Sequence, residues 1–225
     1  MRIRSASRLA TIAMFSVVAA AAGACGASRA PAATGAAPAP GGGSAAKVST
    51  VAPTGRFPFV AADVHFMTGM IAHHSQAVVM AGWAPSHGAS KSLQALCERI
   101  VVGQGDEINL MRTWLADRHL PVPEGKWAPM NMPGMESEML MPGMLTDAEM
   151  AALDQARGKE FDRLFLIGMI KHHGGAISMV NDLNAAQGAA QDEVVFKFST
   201  DVFADQTTEI ERMTRMLNSL QGPPR

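Results

Sequence analysis

Four histidines stand in the chain as two adjacent pairs, His73-His74 and His172-His173, and each pair sits in the same apolar frame. Asp63, Phe66, Met70, Ile71, His73, His74, Ala77 and Met80 each recur 99 residues later, between Asp162 and Met179. Imidazoles and thioethers with no thiolate among them favour a soft cation, above all Cu(I), with Ag(I) as its chemical mimic. The candidate ligands are therefore His73, His74, His172, His173, Met70, Met169, Met80 and Met179. A cysteine-built zinc site is excluded, because the chain has only 2 Cys. A ferritin-type di-iron centre needs Glu-x-x-His on two helices, and no Glu here is followed three residues later by His.

The segment after each pair repeats as well. Ile100, Gln104, Glu107, Ile108, Met111 and Leu115 return as Val202, Gln206, Glu209, Ile210, Met213 and Leu217. The duplicated unit is thus a helical hairpin, and two copies suffice to complete one core. At about 100° per residue, Met70, Asp63 and Ala77 share the centre of one helical face, with His73 and His74 to either side of it. On the partner helix Glu107 and Gln104 interrupt an apolar face, as Glu209 and Gln206 do in the second copy. A carboxylate so placed needs a partner, and the histidines are the repeated polar groups that can supply one. Glu107, Glu209, Gln104 and Gln206 are accordingly expected to hold the imidazoles in place behind the metal. The competing reading is a self-satisfied His-Glu polar core in which Met is filler.

Four helices must carry this pattern. The first runs from Phe59 to Ala84 and stops at Pro85; the second spans about Ser90–Asp117. Thr146 with Glu149 forms a capping box that opens the third, which has a break near Gly158 and fades at Gln187-Gly188. The fourth spans about Asp192–Leu220 and is stopped by Gly222-Pro223-Pro224. The expected class is all-α, a four-helix bundle over residues 57–221, with repeat one at 59–118, a connection at 119–145 and repeat two at 146–220. His65, His87 and His119 have no repeat partner and read as surface residues. Cys97 reads as a small buried apolar side chain.

The connection is rich in sulfur, with Met130, Met132, Met135, Met139, Met141 and Met144 inside one short stretch. Pro133, Gly134, Pro142 and Gly143 argue against a regular helix there, so core periodicity does not explain these methionines. They read as an accessory thioether set for the same cation. An apolar flap over the bundle end is the alternative, and both roles suit Met141 and Met144.

Arg2, Arg4 and Arg8 precede an uncharged apolar run and then Ala22-Gly23-Ala24-Cys25, which reads as an export signal over residues 1–25 with a lipobox and Cys25 as the lipidated residue. Ordinary cleavage after Ala24 is the alternative. Residues 26–56 are Ala, Pro and Gly-rich and read as a disordered tether. Removing residues 1–24 moves the formal charge from -1 to -4, which gives no electrostatic case for nucleic acid. The mature protein is expected outside the cytoplasm or in the periplasm, touching the membrane only through its lipid.

The H-H-x-x-A-x-x-M motif with its upstream D-x-x-F-x-x-x-M, the Q-x-x-E-I-x-x-M of the second helix and M-P-G-M-L-T before the third resemble the ferritin-like family termed domain of unknown function 305, the group of the CopM-like copper-binding proteins. The resemblance covers roughly Phe59 to Leu220. It implies an exported ferritin-like bundle that handles copper or silver, with the family's motif positions falling on Met70, His73, His74 and Met80 and on Met169, His172, His173 and Met179. The expected function is sequestration or transfer of Cu(I) to a partner protein, with no turnover chemistry. Two other readings stay open: a structural or partner-binding bundle without metal, and a ferritin-like oxidase.

Overall fold

The computed structural model describes residues 58–124 and 140–221. The described chain is all-helical, as expected: α1 Ala61–Gly82, α2 Lys91–Asp117, α3 Asp147–Gln155, α4 Lys159–Ala185 and α5 Glu193–Gln221. The expected third helix is in fact two. Gly158 takes φ 59°, a left-handed conformation open to glycine at little cost, so α3 ends and α4 begins around it. The capping box at the start of α3 is formed in both directions. Thr146 N–H donates to Glu149 Oε2 at 2.8 Å, and Glu149 N–H donates to Thr146 Oγ1 at 3.2 Å.

Packing is strongest within each hairpin, α1 on α2 and α4 on α5, and the hairpins meet through α1 and α4. These two central helices run antiparallel. The methyl of Met80 lies 3.4 Å from where a Cβ would sit on Gly168, and the methyl of Met179 lies 3.4 Å from the same point on Gly69. The core therefore divides into two apolar clusters, each built from both repeats. One gathers Ala77, Met80, Leu96, Phe165 and Met169, and the other gathers Phe66, Met70, Met111, Ala176 and Val180. His73 and His74 fall between the stretches of α1 that enter the two clusters, as His172 and His173 do on α4.

The hairpins are also clasped at their turns by the repeated aspartates. Asp63 Oδ1 accepts the Ala190 N–H at 2.7 Å from the α4–α5 turn, while its Oδ2 caps α1 through the Val60 N–H at 2.8 Å. Asp162 accepts the Ser90 N–H at 3.1 and 3.3 Å from the α1–α2 turn. Each buried carboxylate thus satisfies a backbone donor in the other hairpin, an interaction worth roughly 1.5–3 kcal/mol. Asp192 makes a further tie: it caps the start of α5 and accepts from Trp114 at 3.0 Å and Arg118 at 2.5 Å at the end of α2.

One expectation fails outright. His87 is buried, not on the surface: its ring stacks on Trp83 with centroids 5.8 Å apart, and Nε2 bonds the Asp154 carbonyl at 2.8 Å. It joins the α1–α2 turn to α3. Sequence periodicity misses this because two of its partners, Asp154 and Phe161, come from the other repeat. His65 and His119 are exposed. Cys97 is buried, and burial, with the charges of Asp162, Glu209 and Glu98, pushes its thiol up to about 12.

Candidate metal centre

The four paired histidines meet at the waist of the molecule, where α1 crosses α4, and all four are fully buried. His73 and His172 face each other across the crossing with ring centroids 3.8 Å apart. His74 and His173 diverge, each 6.2 Å from its sequence neighbour, toward the second helix of their own hairpin. There His173 Nε2 donates to Glu209 Oε2 at 2.7 Å. His74 Nε2 stands 2.8 Å from Glu107 Oε2, a contact that lacks the alignment of a hydrogen bond.

The inner rings are held by the backbone. His73 Nε2 donates to the Pro142 carbonyl at 3.0 Å, and His172 Nε2 donates to the His73 carbonyl at 3.1 Å. A carbonyl or carboxylate oxygen can only accept, so these contacts place the ring proton on Nε2 and the lone pair on Nδ1. Among the described residues, Nδ1 of His73, His74, His172 and His173 has no hydrogen-bond partner. Buried polar atoms are rarely left so, and four equivalent ones in a duplicated motif need a physical reason.

Burial favours the neutral form of His73, His172 and His173. Burial first, then the His74 charge, lowers His73 to about 3 against the raising effect of its Pro142 bond. His172 lies well below the ordinary value through burial and the charges of His73, His173 and His74. Burial also lowers His173, although the Glu209 carboxylate works against it. A neutral imidazole is the form that binds a metal.

The other candidate residues distribute unevenly. Met70 and Met169 are buried one turn before the histidines, in opposite apolar clusters. Met80 and Met179 cross to the other repeat, as described above. Gln104 and Gln206 are buried beside Glu107 and Glu209, yet neither amide nitrogen nor oxygen of Gln104 has a partner, and Gln206 Oε1 has none, so hydrogen bonds from these atoms do not position the rings. These four residues line a cleft of about 440 Å³ between α2 and α5, together with Asp205 and Arg212. The carboxyl of Asp205 is raised by burial and then by the charges of Glu107 and Glu209. The cleft reaches the two glutamates, and the four histidines do not line it.

The opposite side is closed by the end of the Met-rich connection. Gln76 grips Leu145 through both backbone groups, at 2.8 and 2.9 Å, and His73 holds Pro142. The position matching Gln76 in the second repeat is Gly175, where an added Cβ would lie 1.8 Å from the Pro142 carbonyl oxygen. Gln76 and Gly175 carry no repeat signal, so sequence comparison passes over both. Gly69 and Gly168 do recur, and the space they leave for methionine is their reason. Met144 is buried and Met141 half-buried, whereas Met130, Met132, Met135, Met139 and Cys25 lie outside the described residues.

Among the described residues, no three His, Cys, Asp or Glu side chains form a ready-made metal cluster. The waist offers four imidazole Nδ1 atoms without hydrogen-bond partners, with the His73 and His172 rings facing each other.

A duplicated helical hairpin with buried histidine pairs at its crossing defines a distinct class of bundle. The chain belongs to the family described as domain of unknown function (DUF305), whose profile matches residues 63–217. A protein of Streptomyces coelicolor described as a secreted DUF305 protein is similar in structure, with TM-score 0.60 and 27% identity over 73% of this chain and 96% of the other. CopM in its Cu(I)-bound form is similar with TM-score 0.55 and 27% identity, over 71% of this chain and 98% of CopM. CopM is also known in Cu(II)-bound and silver-bound forms. Uncharacterized protein L153 of Acanthamoeba polyphaga mimivirus is 34% identical over 58 residues, so the match spans 38% of that relative and 26% of this chain. Among the described residues, no helix is long and apolar enough to cross a membrane.

Proposed function

We propose that the protein binds Cu(I), with Ag(I) as a mimic, through Nδ1 of the paired histidines and neighbouring thioethers, and that it sequesters the ion or passes it to a partner protein without turnover. The observation that carries this reading is the set of four buried Nδ1 atoms without partners among the described residues, on rings of which three have Nε2 hydrogen-bonded to a carbonyl or carboxylate and the fourth, His74, has Nε2 2.8 Å from Glu107. Two-coordinate and three-coordinate geometries suit Cu(I), and imidazole with thioether is an apt donor set for it. Similarity to CopM, with its Cu(I)-bound and silver-bound forms, supports the same cation class. Export by residues 1–25, a lipid on Cys25 and the tether at 26–56 would place the bundle outside the cytoplasm.

Glu107 and Glu209 would fix two of the rings and balance the charge of the ion, as carboxylates behind metal-bound histidines do. The metal-free bundle is the second reading, and the lack of a ready-made His, Cys, Asp or Glu cluster among the described residues favours it. Competitive Cu(I) titration separates the two. Replacing His73, His74, His172 and His173 with Ala is expected to weaken binding at least tenfold in a variant that stays helical. Equal affinity in that folded variant rejects the histidine site.

A further inference from the structure

The two halves of the crossing differ at one matched position. Around Gly69, an added Cβ would meet Met141 Sδ at 3.1 Å and the Met179 methyl at 3.4 Å. Around Gly168, the matched neighbours are Leu145 Cδ2 at 3.0 Å and the Met80 methyl at 3.4 Å. One half therefore gathers two thioethers where the other gathers a leucine and one thioether. His65 extends the difference. It lines a cavity of about 160 Å³ with Met141, Met179 and Asp182, whereas the residue 99 positions later is Leu164.

We propose that His65, Met141 and Met179 form a separate site for one soft monovalent cation, Cu(I) or Ag(I), at the rim of the bundle. An imidazole with two thioethers is a neutral nitrogen-and-sulfur donor set of the kind such an ion prefers. The Asp182 carboxylate in the same cavity supplies the balancing negative charge. His65 is exposed on α1, and Met141 and Met179 are only half-buried, so these side chains can turn toward an ion from solvent. Simple packing does not call for them, because Leu164 and Leu145 fill the matched places in the other half. The site rests on the soft-cation reading of the protein but uses none of the four buried histidines.

The test is Ag(I) calorimetry on the full chain, with ¹³C-methyl methionine NMR as its second readout. The double variant His65→Leu with Met141→Leu installs the residues of the other half and is expected to keep the melting temperature while binding one fewer Ag(I). In the variant lacking the four buried histidines, the Met141 and Met179 methyls are expected still to shift with Ag(I) while the Met80 methyl stays in place. An unchanged Ag(I) count in the double variant overturns the rim site, as do Met141 and Met179 methyls that ignore Ag(I) in the wild type. Loss of binding confined to the four-histidine variant counts against the rim site alone. Absence of Ag(I) binding in the wild type counts against both sites.

Discussion

The first hairpin keeps Gln76 where the second has Gly175, and this one difference decides which side of the histidine waist is closed. Gln76 bonds both backbone groups of Leu145, while Gly175 gives up its side chain so that Pro142 can lie against α4. The duplicated residues build a near-symmetric waist, and the unduplicated ones admit the connection on one side only. Symmetry supplies the donor atoms, and its breaking lets the connection cover one side, while the cleft lined by Glu107 and Glu209 lies between α2 and α5.

The strongest way to break this comparison is Gly175→Ala. Its Cβ would meet the Pro142 oxygen at 1.8 Å, and a backbone carbonyl cannot move aside as a flexible side chain can. A loss of about 3 kcal/mol is expected in denaturant unfolding. The adjacent Gly174→Ala, with nothing within 4 Å, is expected to be neutral or to stabilise by up to about 1 kcal/mol.

The aspartate clasps sharpen the comparison, because here the halves behave alike. Asp63→Ala takes the acceptor from the Ala190 N–H and Asp162→Ala from the Ser90 N–H in the opposite turn, and each is expected to cost about 2 kcal/mol in thermal unfolding. A large effect in one and none in the other would show that the two turns are not equivalent.

Acid should act through the inner rings. His73 titrates near 3 when folded and near 6.5 when unfolded, and His172 is lowered in the same sense. Below the unfolded value, the unfolded chain takes up protons that the folded chain refuses. Stability is therefore complete above pH 6.5 and falls as the pH drops toward 3, by up to about 1.4 kcal/mol per pH unit for each such histidine. Chemical denaturation from pH 7 to pH 4 checks this, and His73→Phe should flatten the slope.

The smallest contrast concerns the outer rings. Glu209 is aligned with His173, whereas Glu107 is out of line with His74. Glu209→Gln should weaken Cu(I) binding about tenfold, within the range usual for residues behind a metal ligand, and Glu107→Gln by less.

Much of this architecture can be read from residue spacing. The repeat around the His pairs gives the helical hairpins, and the Thr146-Glu149 box fixes the start of α3. The Glu107 and Glu209 positions follow from the need to partner a carboxylate on an apolar face. What spacing cannot deliver are contacts between turns far apart in the chain. Asp63 and Asp162 looked like part of the buried stripe, but their partners are backbone N–H groups of the opposite hairpin. His87 looked exposed because its partners, Asp154 and Phe161, belong to the second repeat. His65 has no repeat partner and reads as a surface residue, as it is, but its place beside Met141 and Met179 depends on the connection and is not legible in the spacing.

Ring-nitrogen NMR of ¹⁵N-histidine protein, with and without one to two equivalents of Ag(I), tests the central claim most directly. The Nδ1 resonances of His73, His74, His172 and His173 are expected to move on adding the ion while their Nε2 protons remain in place. Unmoved Nδ1 resonances in a protein that binds Ag(I) would place the ion elsewhere and leave the waist a purely structural polar layer.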